Sequence, residues 1–414
     1  MLETQVSTNQ SRKIYLEAYG CTLSKSEAGI YVNSLLREGD TIVSDPSEAD
    51  LRVINTCVVI SQTENRMIRR IQELSGFGDV EVTGCLLAVS AQSLDQPGIK
   101  LISAGTFRNF YRGAFDDVEI RDISIFDGIP INQGCTGNCS FCISRIARGK
   151  LLSRAREKIV GQVRLQLDRG IKEVRITSLD TAAYGRDIGT RLPDLIGDIT
   201  AINGDFQLRV GMMEPMNTSE ILQDLLYRYS DCKVYKFMHL PVQSGSDSVL
   251  VKMNRGYSSS DFLRIASSFK KRFPEGMLST DIITGYPGEG DAEFEETIEV
   301  IEKSRPNIVN VTRFSPRPYT RDFSSTPISS NETKKRDKAI MEIHRRISGE
   351  EFSKSVGNQL SVLITEQGKG ETMVGRDQNY RPVVIPGRFN LYSRVNCEIV
   401  GYGETYLIAK ESNS

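Results

Sequence analysis

GCTGNCSFC, residues 134–142, places Cys135, Cys139 and Cys142 in a CxxxCxxC spacing on a glycine-bearing loop. The loop directly follows IPIN (129–132), a short apolar stretch that reads as a strand. Downstream, strand-like stretches recur near 172–177, 206–213, 234–239, 277–284 and 307–314. Helical patterns near 154–169, 193–202, 218–229, 259–272 and 291–304 separate them. Six parallel strands with intervening helices predict a partial TIM-type (βα)6 barrel, whose active face lies at the C-terminal ends of its strands. Asn217 ahead of TSEILQDLLYRY, Asp291 ahead of AEFEET and Gly170 after LQLDR supply start and stop signals.

Upstream, residues 12–85 alternate strand and helix. KIYLEAY (13–19), LRVIN (51–55) and DVEVT (79–83) read as strands, with helices over about 24–38 and 63–74. This is a doubly wound α/β pattern. A cysteine follows each strand at once: Cys21 in YGC, Cys57 in NTC and Cys85 in TGC. The carboxyl ends of parallel strands lie together at the ligand-binding edge of such a sheet, so three cysteines far apart in sequence are expected to converge. Beyond the central barrel, NETKKRDKAIMEIHRR (331–346) reads as a basic helix, and 352–411 as short strands with glycine turns, a small β-barrel. The chain thus divides into an N-terminal domain (12–120), a central barrel (121–330), a linker helix (331–350) and a C-terminal barrel (351–414).

The formal net charge is -1, which disfavours a polycationic nucleic-acid coat, so any RNA contact must come from local patches. There is no signal-like apolar stretch and no long apolar run, so the expected location is cytoplasmic, with no membrane partner. Eight cysteines in a cytosolic chain point to metal ligands more than to disulfides, and with two histidines any metal site must be mostly thiolate.

Three thiolates can hold three irons of a 4Fe–4S cube and leave the fourth open, where the amino and carboxylate groups of S-adenosylmethionine (SAM) would chelate and one electron would release a 5'-deoxyadenosyl radical. The alternative is zinc, which wants four ligands; no further Cys or His follows Cys142 within 80 residues. Ser178, Asp180, Glu214 and Gln243 sit at expected strand ends facing this loop, where polar groups could bind SAM; His239 could do so or merely brace the turn before Pro241. Arg145 and Arg148 after the loop, and Arg313 and Arg317 near the last strand, border the same mouth and suit a phosphate backbone. Arg376 and Arg381 in the C-terminal barrel could stack on bases.

With its surroundings, the cysteine motif resembles the radical SAM superfamily, and residues 12–411 resemble its methylthiotransferase branch. YGCTLSKSE, NTCVV and VTGCLLA are similar to that branch's three N-terminal cysteine blocks. TSLDTAAYGRDIG, RVGMMEP, HLPVQSGSDSVLVKMNRGY, TDIITGYPGEGDAEFEET and RFSPRP are similar to its barrel signatures, and GRDQNYRPVVI to its TRAM domain, a small RNA-binding barrel. The resemblance implies a second, auxiliary 4Fe–4S cluster on Cys21, Cys57 and Cys85 carrying an exchangeable sulfide. It further implies SAM as both methyl donor and radical source, and tRNA as substrate. An electron donor and a sulfur source are also required, and the sequence identifies neither. Two blocks, TSLDTAAYGRDIG and RVGMMEP, look most like the archaeal and eukaryotic group acting at carbon-2 of N6-threonylcarbamoyladenosine in tRNA. Isopentenyladenosine tRNA and a ribosomal-protein aspartate are the branch's other substrates. A non-catalytic Fe–S or zinc RNA-binding protein is the reading from another class. A cobalamin-dependent methyltransferase is disfavoured, since residues 1–238 lack the histidine that often ligates cobalt.

Overall fold

The computed structural model describes residues 11–58, 61–113 and 128–412, and the expected domain boundary at 120/121 lies outside them. The chain forms two compact units: residues up to Asp127 together with Ile146–Arg148, and Gly128–Arg145 together with Gly149–Ser414.

In the first unit, strands β1 (Lys13–Ala18), β2 (Thr41–Val43), β3 (Leu51–Thr56), β4 (Val80–Gly84) and β5 (Ile99–Leu101) make one parallel sheet in the order β2-β1-β3-β4-β5. Helices α1 (Thr22–Leu35), α2 (Ser61–Ser75), α3 (Leu87–Ser90) and α4 (Ala104–Tyr111) cover it. α2 turns Met67, Ile71 and Leu74 inward at i, i+4 and i+7, and all three are fully buried, as are Val53, Ile54, Val80 and Val82 of the sheet. From β1 the chain steps one way to β2 and then back to β3. The gap beyond the ends of β1 and β3 is therefore the topological switch point, where doubly wound sheets bind ligands.

The second unit opens with β6 (Ile129–Pro130), β7 (Asn132–Gln133), α5 (Ile143–Arg148), whose last three residues group with the first unit, and β8 (Leu152–Ser153). It continues through α6 (Arg156–Asp168), β9 (Glu173–Thr177), α7 (Leu192–Thr200), β10 (Gln207–Val210), α8 (Pro215–Tyr229), β11 (Phe237–His239), α9 (Asp247–Lys252), α10 (Ser259–Arg272), β12 (Met277–Thr284), α11 (Asp291–Ser304) and β13 (Ile308–Arg313). Strands β6-β9-β10 and β11-β12-β13 form two parallel sheets joined by a Leu208–Val234 bridge, so six strands run side by side in chain order. That is the expected partial (βα)6 barrel. One boundary signal differs: α8 starts at Pro215, and its N-cap is Glu214, whose carboxylate accepts from the Asn217 N–H at 3.1 Å; Asn217 itself lies inside the first turn.

A long helix, α12 (Ser330–Ser353), buries Ile340 and Ile347 in the barrel's core and leads to β14 (Gln359–Gln367), β15 (Thr372–Arg376), β16 (Pro382–Pro386), β17 (Arg394–Tyr402) and β18 (Leu407–Glu411). These close as β14-β15-β16-β18-β17 with β16 and β18 parallel, the Greek-key arrangement of oligonucleotide-binding barrels. Its core, which includes Val362, Ile364, Val383, Ile399 and the buried thiol Cys397, is continuous with Tyr235, Phe237 and Met277 at the starting ends of the central strands. Gln378 bonds the backbone of both Val234 and Lys236, and Tyr380 packs 4.8 Å from Tyr235 and 4.9 Å from Phe237. The small barrel is therefore mounted on the foot of the larger one.

Candidate active site

The loop of Cys135, Cys139 and Cys142 lies at the C-terminal ends of the central strands and is fastened by side chains from the elements and turns that follow them. Thr136 Oγ1 accepts from Asn217 Nδ2 at 3.0 Å, and the same amide donates to Asp180 Oδ2 at 2.6 Å. On the other flank, the turn after α9 grips the loop: Asn254 Nδ2 donates to Asn138 O at 2.5 Å, and Arg255 Nη1 to Cys139 Sγ at 2.8 Å. Ser140 is tied to the Met253 carbonyl and to Asp322.

Cys135 lies within electrostatic reach of both Cys139 and Cys142. Among the described residues, no three His, Cys, Asp or Glu side chains gather around one point as ligands of a single ion would. A cube instead spreads its ligands over separate irons. Gly137 tests the fit. A Cβ there would sit 3.3 Å from Cys135 Sγ and 3.7 Å from Cys139 Sγ, so glycine keeps the space between two thiols clear, while its N–H donates to Cys135 Sγ at 3.2 Å. Burial pushes the Cys135 thiol up to about 12 and raises Cys142 as well; such thiols release their protons to a metal, not to water. Donor set and space both suit an iron–sulfur cluster.

Around the loop, Asp180 is fully buried and accepts from the N–H groups of Ala182 (3.1 Å) and Glu214 (3.0 Å) besides Asn217. Burial, followed by the nearby Glu214 charge, pushes its carboxyl up to about 6. Ser178 accepts from the Asp180 N–H at 2.9 Å and is turned into this turn. Glu214 pairs with Arg255 at 3.5 Å. Gln243 sits at φ 71, unusual for a residue with a Cβ, in the bridge to Ile282, and its side chain has no hydrogen-bond partner among the described residues. His239 bonds Asp281 at 2.9 Å, which together with Asn310 holds that carboxyl below its ordinary range despite burial. Arg255, Asn254 and Thr136 are participants that the sequence reading missed. Thr136 lies inside the cysteine motif and the other two in KMNRGY, but neither stretch marks which side chains turn inward.

In the first unit, Cys21 and Cys57 follow β1 and β3, the two strands at the switch point, and Cys85 follows β4. Gly20 has φ +99, and a Cβ on it would meet Cys57 Cβ at 3.4 Å, so the turns carrying Cys21 and Cys57 abut. Arg148 donates to Cys85 Sγ at 3.4 Å and to Ser24 at 3.0 Å, forms a close ion pair with Glu27, and lies within electrostatic reach of Cys21.

That placement corrects the reading of the basic residues. Arg148 is 4% exposed and spent on Glu27 and a thiol, so it is withdrawn from any phosphate. Arg317 is buried too, and so is Arg381, which pairs with Asp377 at 2.6 Å. Arg145 is half-buried and bonds Asn138; Arg376 pairs with Glu366 and stacks over Tyr380; Arg313 is half exposed beside Asp337. Clustering of Arg in sequence does not tell which ones the barrel consumes internally.

Residues 129–301 match the radical SAM superfamily and residues 13–102 the uncharacterized protein family UPF0004. The radical SAM methyltransferase TsrM from Kitasatospora setae has a related fold, with TM-score 0.54 and 13% identity over 76% of this chain and 77% of that one. The chain is 37% identical to the probable threonylcarbamoyladenosine tRNA methylthiotransferase of Pyrococcus abyssi, over 96% of its own length and 99% of that protein's. It is 30% identical to the threonylcarbamoyladenosine tRNA methylthiotransferase of Xenopus laevis, over 91% of its own length and 72% of that protein's. With its thiol loop at the mouth of a six-stranded barrel and this similarity along nearly the whole chain, the protein belongs to the radical SAM superfamily and, within it, to the threonylcarbamoyladenosine tRNA methylthiotransferases.

Proposed function

We propose that this enzyme adds a methylthio group at carbon-2 of N6-threonylcarbamoyladenosine beside the anticodon of tRNA, in the cytoplasm, with SAM and two 4Fe–4S clusters as cofactors. The observation that carries the substrate is the end-to-end similarity to relatives bearing that name. No helix among the described residues is long and apolar enough to cross a membrane. When bound, the cluster on Cys135, Cys139 and Cys142 supplies the electron that cleaves SAM, and the one on Cys21, Cys57 and Cys85 supplies the sulfur.

The chain's own residues supply position and charge. Arg255 holds Cys139 with one arm and Glu214 with another, so its fork fixes a ligand and a polar strand-end group together. Asp180 spends its carboxylate on Ala182, Glu214 and Asn217; we assign it to positioning those groups, and Glu214 and Gln243 to SAM itself. A positive φ at a non-glycine residue stores strain of about 1–3 kcal/mol, which persists where the surroundings enforce it, and Gln243 carries such a φ with an unengaged side chain at the mouth. In the N-terminal site, the buried Arg148 offsets thiolate charge while Glu27 offsets its own. For RNA, Arg145, Arg313 and Arg376 remain as contacts, with the C-terminal barrel as a second grip.

The test is mass spectrometry of nucleosides after reaction with anticodon stem–loops. The threonylcarbamoylated loop should gain sulfur and methyl, and the isopentenylated loop should react poorly, because groups built to bond the polar threonyl-carbamoyl chain would be left unpaired. Equal turnover of both, or preference for the prenylated loop, would overturn the substrate assignment.

A further inference from the structure

β1 carries Tyr15 and Glu17 on one side of the sheet, and Tyr19, just past its end and still bonded through its N–H to Asn55, continues that alternation. α2 presents Arg66, Arg69, Arg70 and Glu73 at helical spacing opposite them. These seven residues line an open cavity of about 660 Å3, and none belongs to the thiol sites.

The pairings inside it leave a definite remainder. Arg70 grips Glu17 through Nε at 3.0 Å to both oxygens and Nη2 at 2.9 Å, and reaches Glu73 through Nη1 at 2.8 Å. Tyr15 and Tyr19 both donate their hydroxyls to Glu17, which fixes the two rings. Both carboxylates are therefore engaged by one guanidinium. Arg66 and Arg69 are exposed. Arg66 lies 5.5 Å over the Tyr19 ring, and Arg69 has no ion-pair or hydrogen-bond partner among the described residues. One guanidinium without a partner among the described residues, Arg69, and one engaged only with a ring, Arg66, thus flank a locked aromatic in a cavity of nucleotide size. Tyr19 is two residues from Cys21 on the same strand end, so the strip runs along β1 toward the N-terminal thiols.

We propose that this cavity binds a nucleotide of the RNA substrate, with Arg66 and Arg69 on backbone phosphates and the Tyr19–Arg66 pair as a platform for a base. Guanidinium with aromatic stacking is how single-stranded RNA is held, and it is sequence-tolerant. An acidic protein partner would meet a broad convex face, whereas these residues line a concave cavity holding one ring and two guanidinium arms. The inference rests on the tRNA reading above, and it concerns a surface that the reading does not require.

The experiment measures the affinity of holoenzyme for threonylcarbamoylated tRNA across salt, comparing wild type with R66Q/R69Q. Two lost phosphate contacts, at about 0.7 each for a single strand, should make the log–log salt slope shallower by about 1.4, with affinity at low salt down at least tenfold. Iron content and tRNA-independent SAM cleavage should be unchanged. If the double variant loses iron, R69Q alone, which breaks no pairing, should still flatten the slope by about 0.7. An unchanged slope with wild-type tRNA binding intact overturns the cavity assignment and leaves the substrate standing. Wild-type enzyme that binds no tRNA overturns both. Slower reduction by a protein electron donor with tRNA binding unaltered would reassign the cavity to an acidic protein and overturn the proposal.

Discussion

Arg336→Met removes the central fastening of α12. In the wild type, Arg336 Nη1 meets Glu289 Oε2 at 2.8 Å with both side chains buried, and also donates to the Glu289 carbonyl at 3.1 Å. Its other partners, Asp291 at 2.9 Å, Glu332 at 3.4 Å and the Phe294 ring at 5.1 Å, are more open and contribute at most about 1 kcal/mol each. Stranding a buried partner costs about 3–5 kcal/mol. At roughly 2 °C per kcal/mol for a unit of this size, the melting temperature should fall by about 6–10 °C near neutral pH. The loss should depend on pH. Burial already holds the Glu289 carboxyl above its ordinary range in spite of Arg336, and without the guanidinium it should rise further. A folded-state value above the unfolded one gives stability that is present below the unfolded value and lost as pH rises through the folded one. The deficit against wild type should thus be small near pH 4–5 and full by pH 8, as followed by calorimetry. E289Q/R336M should recover more than half of it. A deficit that stays flat with pH, or a double variant no better than the single, would refute the reasoning.

Changing Cys135, Cys139 and Cys142 together to Ala should halve bound iron and abolish reductive SAM cleavage, whereas changing Cys21, Cys57 and Cys85 should also halve iron but leave cleavage and remove the methylthio product; iron assay and 5'-deoxyadenosine chromatography read both. Asp180, pushed up to about 6, disfavours the fold as pH rises from about 4 to 6, by roughly 3 kcal/mol. In protein prepared without iron, Asp180→Asn should therefore gain melting temperature relative to wild type across that window, and a constant difference would count against a buried carboxylate. Truncation before Glu351 should do more than weaken tRNA binding: it uncovers Tyr235, Phe237 and Met277, so light scattering should show association.

Much of the architecture was legible because its signals are local. The six central strands and their helices carry apolar periods long enough to register, and a cysteine just past each of β1, β3 and β4 stands where the sequence expects the strand to end. The three-residue edge strands β2 and β5 were missed; they are too short to show alternation. Asn217 looked like a cap, yet Glu214 performs that task while Asn217 links Thr136 to Asp180. The fate of Arg148 depends on Glu27, 121 residues away, and no pattern along the chain encodes such a pairing; Arg381 meets Asp377 only four residues off, but nothing local shows that the pair is buried. Arg255 was overlooked for the same reason, its thiol partner being 116 residues away.

Mounting the C-terminal barrel on the foot of the central strands sets a minimum reach for the substrate. β12 alone, from Met277 beside that barrel to Thr284 at the mouth, has eight residues, about 25 Å at 3.3 Å per residue. An RNA gripped by the small barrel while its base lies at the thiol loop must bridge at least that distance. A free nucleoside or a trinucleotide falls short of it, whereas a folded stem–loop does not. Measured against graded oligonucleotides, affinity should therefore step upward once the RNA is long enough to touch both ends, making the strand length a ruler for substrate size.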